Sequence, residues 1–290
     1  MEPFGLGVII IICIIIFCVI DSNYHLVIRR YTYSSSKLPK SFEGVKILHL
    51  SDLHSKRFGK NNIKLVQKVD KLKPDYIVMT GDMIHKNEKN IEQFVKELQP
   101  ILKKYPVFYS IGNHERRMGY KKYNEYIEKL QACGVHVLSD SSYDIEREYE
   151  KIHIVGLNFK DNIRYEKMDQ EKIDKKLDYL MYQGGPIDET KFNILLAHDA
   201  LNFPLYKRLG YDLVFAGHVH GGLIRLGKIG LLSPRRTFFP KYCFGKYVLE
   251  DSTMFVSTGM GDASIPLRLF NPPEMSLITL KKQEEGERHE

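Results

Sequence analysis

Short apolar runs recur along the chain, and five of them break off at a polar cluster. VKILHL (Val45 to Leu50), DYIVMT (Asp75 to Thr80), PVFYSI (Pro106 to Ile111), FNILLA (Phe192 to Ala197) and DLVFA (Asp212 to Ala216) have strand length and many β-branched or aromatic residues. Between them, Asn61 to Leu72, Ile91 to Leu102, Tyr123 to Ala132 and Asp169 to Tyr182 read as helices, the first with Ile63, Val66 and Val69 at helical spacing. Further strands are predicted at Val135 to Leu138, Tyr143 to Glu148, Ile152 to Leu157, Lys246 to Glu250, Met254 to Ser257 and Met275 to Leu280. Strands interleaved with helices point to an α/β fold.

A different pattern opens the chain. Phe4 to Ile20 is a run of 17 residues without a charge, at the lower limit for crossing a bilayer as a helix. No basic residue precedes it and no small-x-small cleavage site follows, so it reads as an uncleaved anchor rather than a signal peptide. The expected organisation is an anchor over 1–21, a linker over 22–41, a folded domain over 42–281 and a polar tail over 282–290. The linker reading rests on SSSK and LPKS. Arg29, Arg30, Lys37 and Lys40 follow the apolar run, and the positive-inside rule then puts the domain on the cytoplasmic side of a cell membrane that the chain crosses once.

Composition narrows the classes. Hydrophobic residues at 43% and charged residues at 27% exclude a disordered chain. The net charge of +7 suits an anionic substrate or a membrane surface. The cations are dispersed, with no basic stripe interleaved with aromatics, so nucleic acid is disfavoured as a partner. With 4 cysteines the chain is no disulfide-dense scaffold, and without a CxxC pair a zinc ribbon or thioredoxin-like site is unsupported. Oligomeric state is not legible.

The five clusters are SDLH, TGDMIH, GNHE, AHD and GHVH, and they hold six of the 11 histidines. Any one is an ordinary turn after a strand. Together they are more than turn chemistry, because ligands of α/β sheets bind beyond the carboxyl ends of the strands. His218 and His220 are an i, i+2 pair, which on a strand shares a face, and Gly217 and Gly221 around them permit close approach. Asp52, His54, Asp82, Asn113, His198, His218 and His220 are then candidate metal ligands. One ion needs about four of them, so seven point to two ions with Asp82 bridging through its two oxygens. A nitrogen and oxygen set without thiolate suits Mn, Zn or Fe. Two such ions can hold a hydroxide for attack on phosphorus.

The ordered motifs DxH, GD, GNHE, a later His and GHxH resemble the calcineurin-like metallophosphoesterases. The anchor and the segment VSTGMGDASIPLRLFNPPEMSLITL resemble a membrane-anchored bacterial branch that includes UDP-2,3-diacylglucosamine pyrophosphatase-type enzymes. The resemblance spans nearly everything after about Phe42. It implies a four-layer αββα sandwich. It implies one metal on Asp52, His54 and His220, a second on Asn113, His198 and His218, Asp82 as bridge, and His114 as the catalytic histidine near the leaving group. One departure is His85, which stands where several relatives carry Asp at the end of GDxxD; it leaves open what orients His114. Glu115 reads as packing or capping locally. Arg57, Arg116, Arg117, Arg225 and Arg268 could meet substrate phosphate, and Arg268 is the substrate-binding candidate among them.

The implied function is a membrane-anchored dinuclear phosphohydrolase that cleaves phosphoester or pyrophosphate bonds, with the lipid bilayer and a phosphorylated amphiphilic substrate as partners. The competing readings are a phosphodiesterase or nuclease acting on nucleotides, and a metal-stabilised binding module without catalysis.

Overall fold

The computed structural model describes residues 3–158, 165, 168–184, 187–227, 229–233, 238–262 and 268–284. The apolar runs become strands with both faces covered. In the first sheet, β2 (Lys46–Leu50), β3 (Tyr76–Thr80), β4 (Val107–Ser110) and β5 (His136–Leu138) run parallel. Leu48, Leu50, Ile77 and Met79 face α2 (Ile63–Leu72), α3 (Ile91–Leu102) and α5 (Tyr120–Ala132). Their neighbours Ile47, Val78 and Phe108 face the second sheet. That period of two is what a strand imposes, and here both halves of it are apolar.

The second sheet repeats the scheme. β6 (Ser141–Arg147), β7 (Glu150–Leu157), β8 (Asn193–Asp199), β9 (Leu213–Gly217), β12 (Gly245–Leu249) and β13 (Ser252–Val256) lie in the order β12-β13-β9-β8-β7-β6. Ile194, Leu196 and Phe215 meet the first sheet, while Leu195, Ala197 and Val214 pack against side chains of α6 (Gln170–Gly184) and α7 (Phe203–Arg208). Helices, sheet, sheet, helices form the expected four layers. β10 (Ile224–Leu226) and β11 (Ile229–Leu232) form a separate hairpin after β9, which the apolar pattern did not indicate.

The first sheet has the order β1-β14-β2-β3-β4-β5 and shows where the sequence reading of the linker fails. Residues 22–41 are not a linker, because β1 (Val27–Ser35) lies inside them and pairs in parallel along the whole of β14 (Glu274–Lys282). VIRRYTYSS alternates side chains at a sheet edge, so its outward positions stay polar and disguise it. Tyr33 faces inward, 4% exposed, against Phe192 at 5.8 Å between ring centroids. The first helix, α1 (Pro3–Tyr24), runs past the expected anchor boundary of 21. Its stretch Gly7–Tyr24 has a mean hydropathy of 2.4 and is long and apolar enough to cross a membrane. The predicted tail also begins too early, since β14 includes Lys282; residues 285–290 of it lie outside the described residues.

If β1 belongs to the domain, Tyr33→Ala removes a core ring and lowers unfolding free energy by about 3 kcal/mol, the lower end for an aromatic truncation in a core. Urea unfolding of the full chain in detergent measures this. A change of about 0.5 kcal/mol or less, as at a free surface, would return the segment to a linker.

Candidate metal centre

Five loops build the site, and each leaves the carboxyl end of a parallel strand: β2, β3 and β4 in one sheet, β8 and β9 in the other. Face-to-face packing brings these ends to one edge of the sandwich. The backbone there is unusual. Asp52, His54, Asp82, His218 and His220 adopt φ of 51°, 48°, 51°, 72° and 55°. This left-handed region costs about 1–2 kcal/mol for a residue with a Cβ and collects at working sites. His218 and His220 lie just beyond β9, so strand alternation does not set their directions as the i, i+2 spacing suggested. Gly217 is required by proximity, since a Cβ there would fall on Ser51 Oγ and Asp52 Oδ2.

The turn sends the two imidazoles to different groups. His220 Nε2 lies 3.2 Å from His54 Nε2 and 3.4 Å from Asp52 Oδ1. His218 Nδ1 lies 3.0 Å from His198 Nε2, which is 3.2 Å from Asp82 Oδ2. The same Oδ2 is 3.8 Å from His54 Nε2, so Asp82 faces both groups. Its other oxygen, Oδ1, accepts the His114 N–H at 2.7 Å. One oxygen rather than two is therefore turned to the cluster. Asp52 and Asp82 are 0% and 2% exposed.

The donor set fits two cations. The Thr80 carbonyl, 2.7 Å from His198 Nδ1, holds that nitrogen in its N–H form and turns Nε2 toward Asp82 and His218. Nitrogen faces nitrogen at 3.0 and 3.2 Å with carboxylate oxygen beside each pair, a convergence that a cation relieves. Asn113, at the start of α4 (Asn113–Arg116), keeps its Oδ1 buried without a hydrogen-bond partner among the described residues. Asp52, His54 and His220 can hold one ion, and His198, His218 and Asn113 a second, with Asp82 between.

Burial holds His54 down to about 3 and His220 well below the usual imidazole value, so both are neutral ligands. Burial also lifts Asp52 to about 6. At His198 burial acts downward, but the Asp82 carboxylate overrides it and lifts the imidazole to about 10. Burial works against the Asp82 charge in turn, yet His198 and its neighbours hold that carboxyl well below its ordinary value. A proton between these two occupies the place a cation can take.

The family profile for calcineurin-like phosphoesterases matches residues 45–222. The chain belongs to this family. It is a metal-dependent phosphoesterase. An uncharacterized metallophosphoesterase of Aquifex aeolicus is 31% identical over 277 residues, 89% of this chain and 93% of that protein. Phosphodiesterase YaeI of Escherichia coli is 26% identical over 247 residues, 81% of this chain and 82% of its own. A transmembrane protein with a metallophosphoesterase domain from Danio rerio is 28% identical, covering 85% of this chain and 55% of itself. Among solved structures, TT1561 of Thermus thermophilus aligns with a TM-score of 0.48 at 14% identity, over 76% of this chain and 90% of that one.

The remaining residues of this phosphoesterase take places the motifs did not reveal. His114 lies beside the cluster, its ring 4.4 Å from that of His54, and one of its nitrogens is within 4.8 Å of ligand atoms of His54 and Asp82. His85 packs edge-on to it at 4.8 Å, but it is the Lys86 N–H that donates to His114 Nδ1, at 3.4 Å. A backbone donor thus orients His114, and His85 does not. Burial keeps His114 down to about 4, so its ring is neutral, and the Lys86 bond puts its proton on Nε2.

Glu115 caps locally, as expected, and is also a hub. Its Oε2 accepts N–H from Asp82 and Gly112, its Oε1 accepts N–H from Met83 and Ile84, and the Tyr109 hydroxyl donates to Oε1 at 2.6 Å. Burial, with Asp82 pushing the same way, lifts its carboxyl to about 7. Part of the signal was in the sequence, because a Glu three residues past the N-cap is placed to accept the N-cap N–H, here that of Gly112 at 3.0 Å.

Arg268 is not at the site mouth. It is 2% exposed, donates to the carbonyls of Thr258, Gly261 and Asn271, and backs His220 Nδ1 at 3.4 Å. The expected substrate contact is not met, since the guanidinium is buried and committed to carbonyls. Arg57 is bonded to Glu97, Arg116 to Asn158, and Arg225 is buried over the Phe244 ring. Arg117 is exposed.

Two outcomes follow for the metallophosphoesterase. Metal loading at pH 7 displaces the proton His198 carries and releases about one proton per site, because metal ligands bind deprotonated. Calorimetry in buffers of different ionisation enthalpy reads this, and buffer-independent heat would refute it. Glu115→Gln sets an amide N–H2 against backbone donors and costs about 2–3 kcal/mol of stability, with weaker metal retention by elemental analysis. Full retention of both would remove Glu115 from the support of the site.

Proposed function

We propose that the protein is a membrane-anchored phosphohydrolase that uses two divalent ions to cleave phosphoester or pyrophosphate bonds in an amphiphilic substrate, such as a nucleotide-linked glycolipid or a phospholipid. The observation that carries the reading is Asp82 Oδ2, poised at 3.2 Å from His198 and 3.8 Å from His54, one residue in each ligand group. The name of the Escherichia coli relative supports phosphodiester cleavage. The anchor reading rests on α1 and is supported by the name of the zebrafish relative. Arg29, Arg30, Lys37 and Lys40 favour the cytoplasmic side.

Bound at these residues, the ions supply Lewis acidity toward phosphoryl oxygens and acidified water. Asp52 and Asp82 offset their charge. The neutral imidazoles add nitrogen ligands that suit Mn, Fe or Zn. His114, with its proton on Nε2, donates to the leaving oxygen or stabilises the charge that develops there. Buried and tied at Oδ1, Asp82 cannot swing away between turnovers.

The test is hydrolysis of bis-p-nitrophenyl phosphate by the full chain in detergent. Manganese supports it and chelation abolishes it. His114→Ala lowers the rate about 10²- to 10⁴-fold, the usual span for a general acid, with metal content unchanged. Asp82→Asn loses metal as well as rate. Unchanged rates in both variants would overturn the site, and UDP-diacylglucosamine in micelles against cyclic nucleotides separates an amphiphilic from a soluble substrate.

A further inference from the structure

The register of the first sheet fixes where α1 meets the domain. Ser276 of β14 lies opposite His49 of β2 on one side and Arg29 of β1 on the other. β1 and β14 are parallel to each other, and both are antiparallel to β2. Two residues back from Arg29, Val27 is therefore level with Ser51, the residue before Asp52. The apolar helix enters the sandwich at the edge that carries the metal ligands.

Contacts repeat the result. Tyr24, the last residue of α1, has Lys56 Nζ over its ring at 5.6 Å, two residues past His54. Asn23 Nδ2 donates to the Arg268 carbonyl at 3.3 Å, and Arg268 backs His220. The end of α1 is one side chain removed from the ligand shell on two sides.

The same edge carries apolar side chains turned outward. Leu226 and Ile229 of the β10–β11 hairpin are 56% and 55% exposed, Phe238 and Phe239 are 71% and 67% exposed, and Phe270 is 49% exposed. The hairpin starts four residues after His220 and is bonded at its base to the segment under α1: Arg225 N–H to the Leu269 carbonyl, and Leu269 N–H to the Leu223 carbonyl. Exposed Lys241 adds positive charge next to the two phenylalanines. Apolar tips with cations beside them suit the boundary between headgroups and acyl chains.

We infer that the metal edge of the sandwich lies against the bilayer, with the hairpin and Phe238, Phe239 and Phe270 seated in the interface, so that the substrate phosphate is one presented at the membrane surface. This rests on the anchor reading of α1. A second copy of the chain is the competing occupant of the apolar edge.

The test uses the full chain in vesicles of phosphatidylethanolamine and phosphatidylglycerol, with an environment-sensitive fluorophore on single thiols. Leu226→Cys, Ile229→Cys and Phe239→Cys are made with Cys13→Ser and Cys18→Ser, since Cys133 and Cys243 are buried. Native Cys13, with Cys18→Ser, reports on the anchor. Tyr149→Cys, in the β6–β7 turn at the opposite edge, is the water control. At the hairpin we expect blue-shifted emission and quenching of about twofold by lipid-borne nitroxides, as for interfacial side chains, with Tyr149→Cys unquenched. A quenched Cys13 with the hairpin in water overturns this inference and leaves the anchor standing. A blue shift without lipid quenching assigns the apolar edge to a protein partner and overturns it too. An unquenched Cys13 overturns the anchor and, with it, the seating of the hairpin.

Discussion

The carboxylate of Glu115 holds the site together. It gathers four backbone N–H groups from the loops that follow β3 and β4, and the Tyr109 hydroxyl closes it from below. Those loops carry Asp82 and Asn113, and they interlock with a third: Asp52 N–H reaches the Gly81 carbonyl and His54 N–H the Asp82 carbonyl. A left-handed backbone at Asp52, His54 and Asp82 persists only where surroundings over-determine it. A buried carboxylate with five donors is such a surrounding for the loops after β3 and β4, and the β2 loop is held to them by its own backbone bonds, without a strand ladder between them.

The site is also an electrostatic compromise. Two buried carboxylates face His54 and His220, which burial keeps neutral, while His198, pinned between Asp82 and the Thr80 carbonyl, is lifted and gains a proton readily. Fixed negative charge with neutral nitrogen around it is a field made for divalent cations. The ligands are held from behind: Ser51 Oγ donates to Asp52 Oδ2, and Thr80 Oγ1 donates to Ser51 Oγ.

What could be read from the sequence follows from how each feature is encoded. The core strands and ligand loops were legible because burial on two faces demands unbroken apolar runs, and metal ligands demand particular side chains at their ends. β1 was not, because an edge strand needs only half its positions apolar and VIRRYTYSS keeps the rest polar. The hairpin was missed because its strands are three and four residues long, with Leu226 and Ile229 pointing outward. Arg268 misled because a cation near a phosphate site suggests substrate, whereas its burial behind His220 is a tertiary fact with no local signature. The single-oxygen presentation of Asp82 depends on one backbone N–H, that of His114, and no residue type announces it.

The missed strand decides more than a boundary. Had β1 paired antiparallel to β14, its start would lie at the far edge of the sheet. A strand of nine residues covers roughly 30 Å, so the apolar helix would leave the domain about that far from the ligands. Parallel pairing instead delivers the end of α1 to Lys56 and Arg268, the residues that flank His54 and back His220. On the proposed reading, reach to a membrane substrate needs no hinge. The helix, the first strand and the metal loops share one edge, and the order of pairing in a single sheet sets the distance between the apolar span and the chemistry.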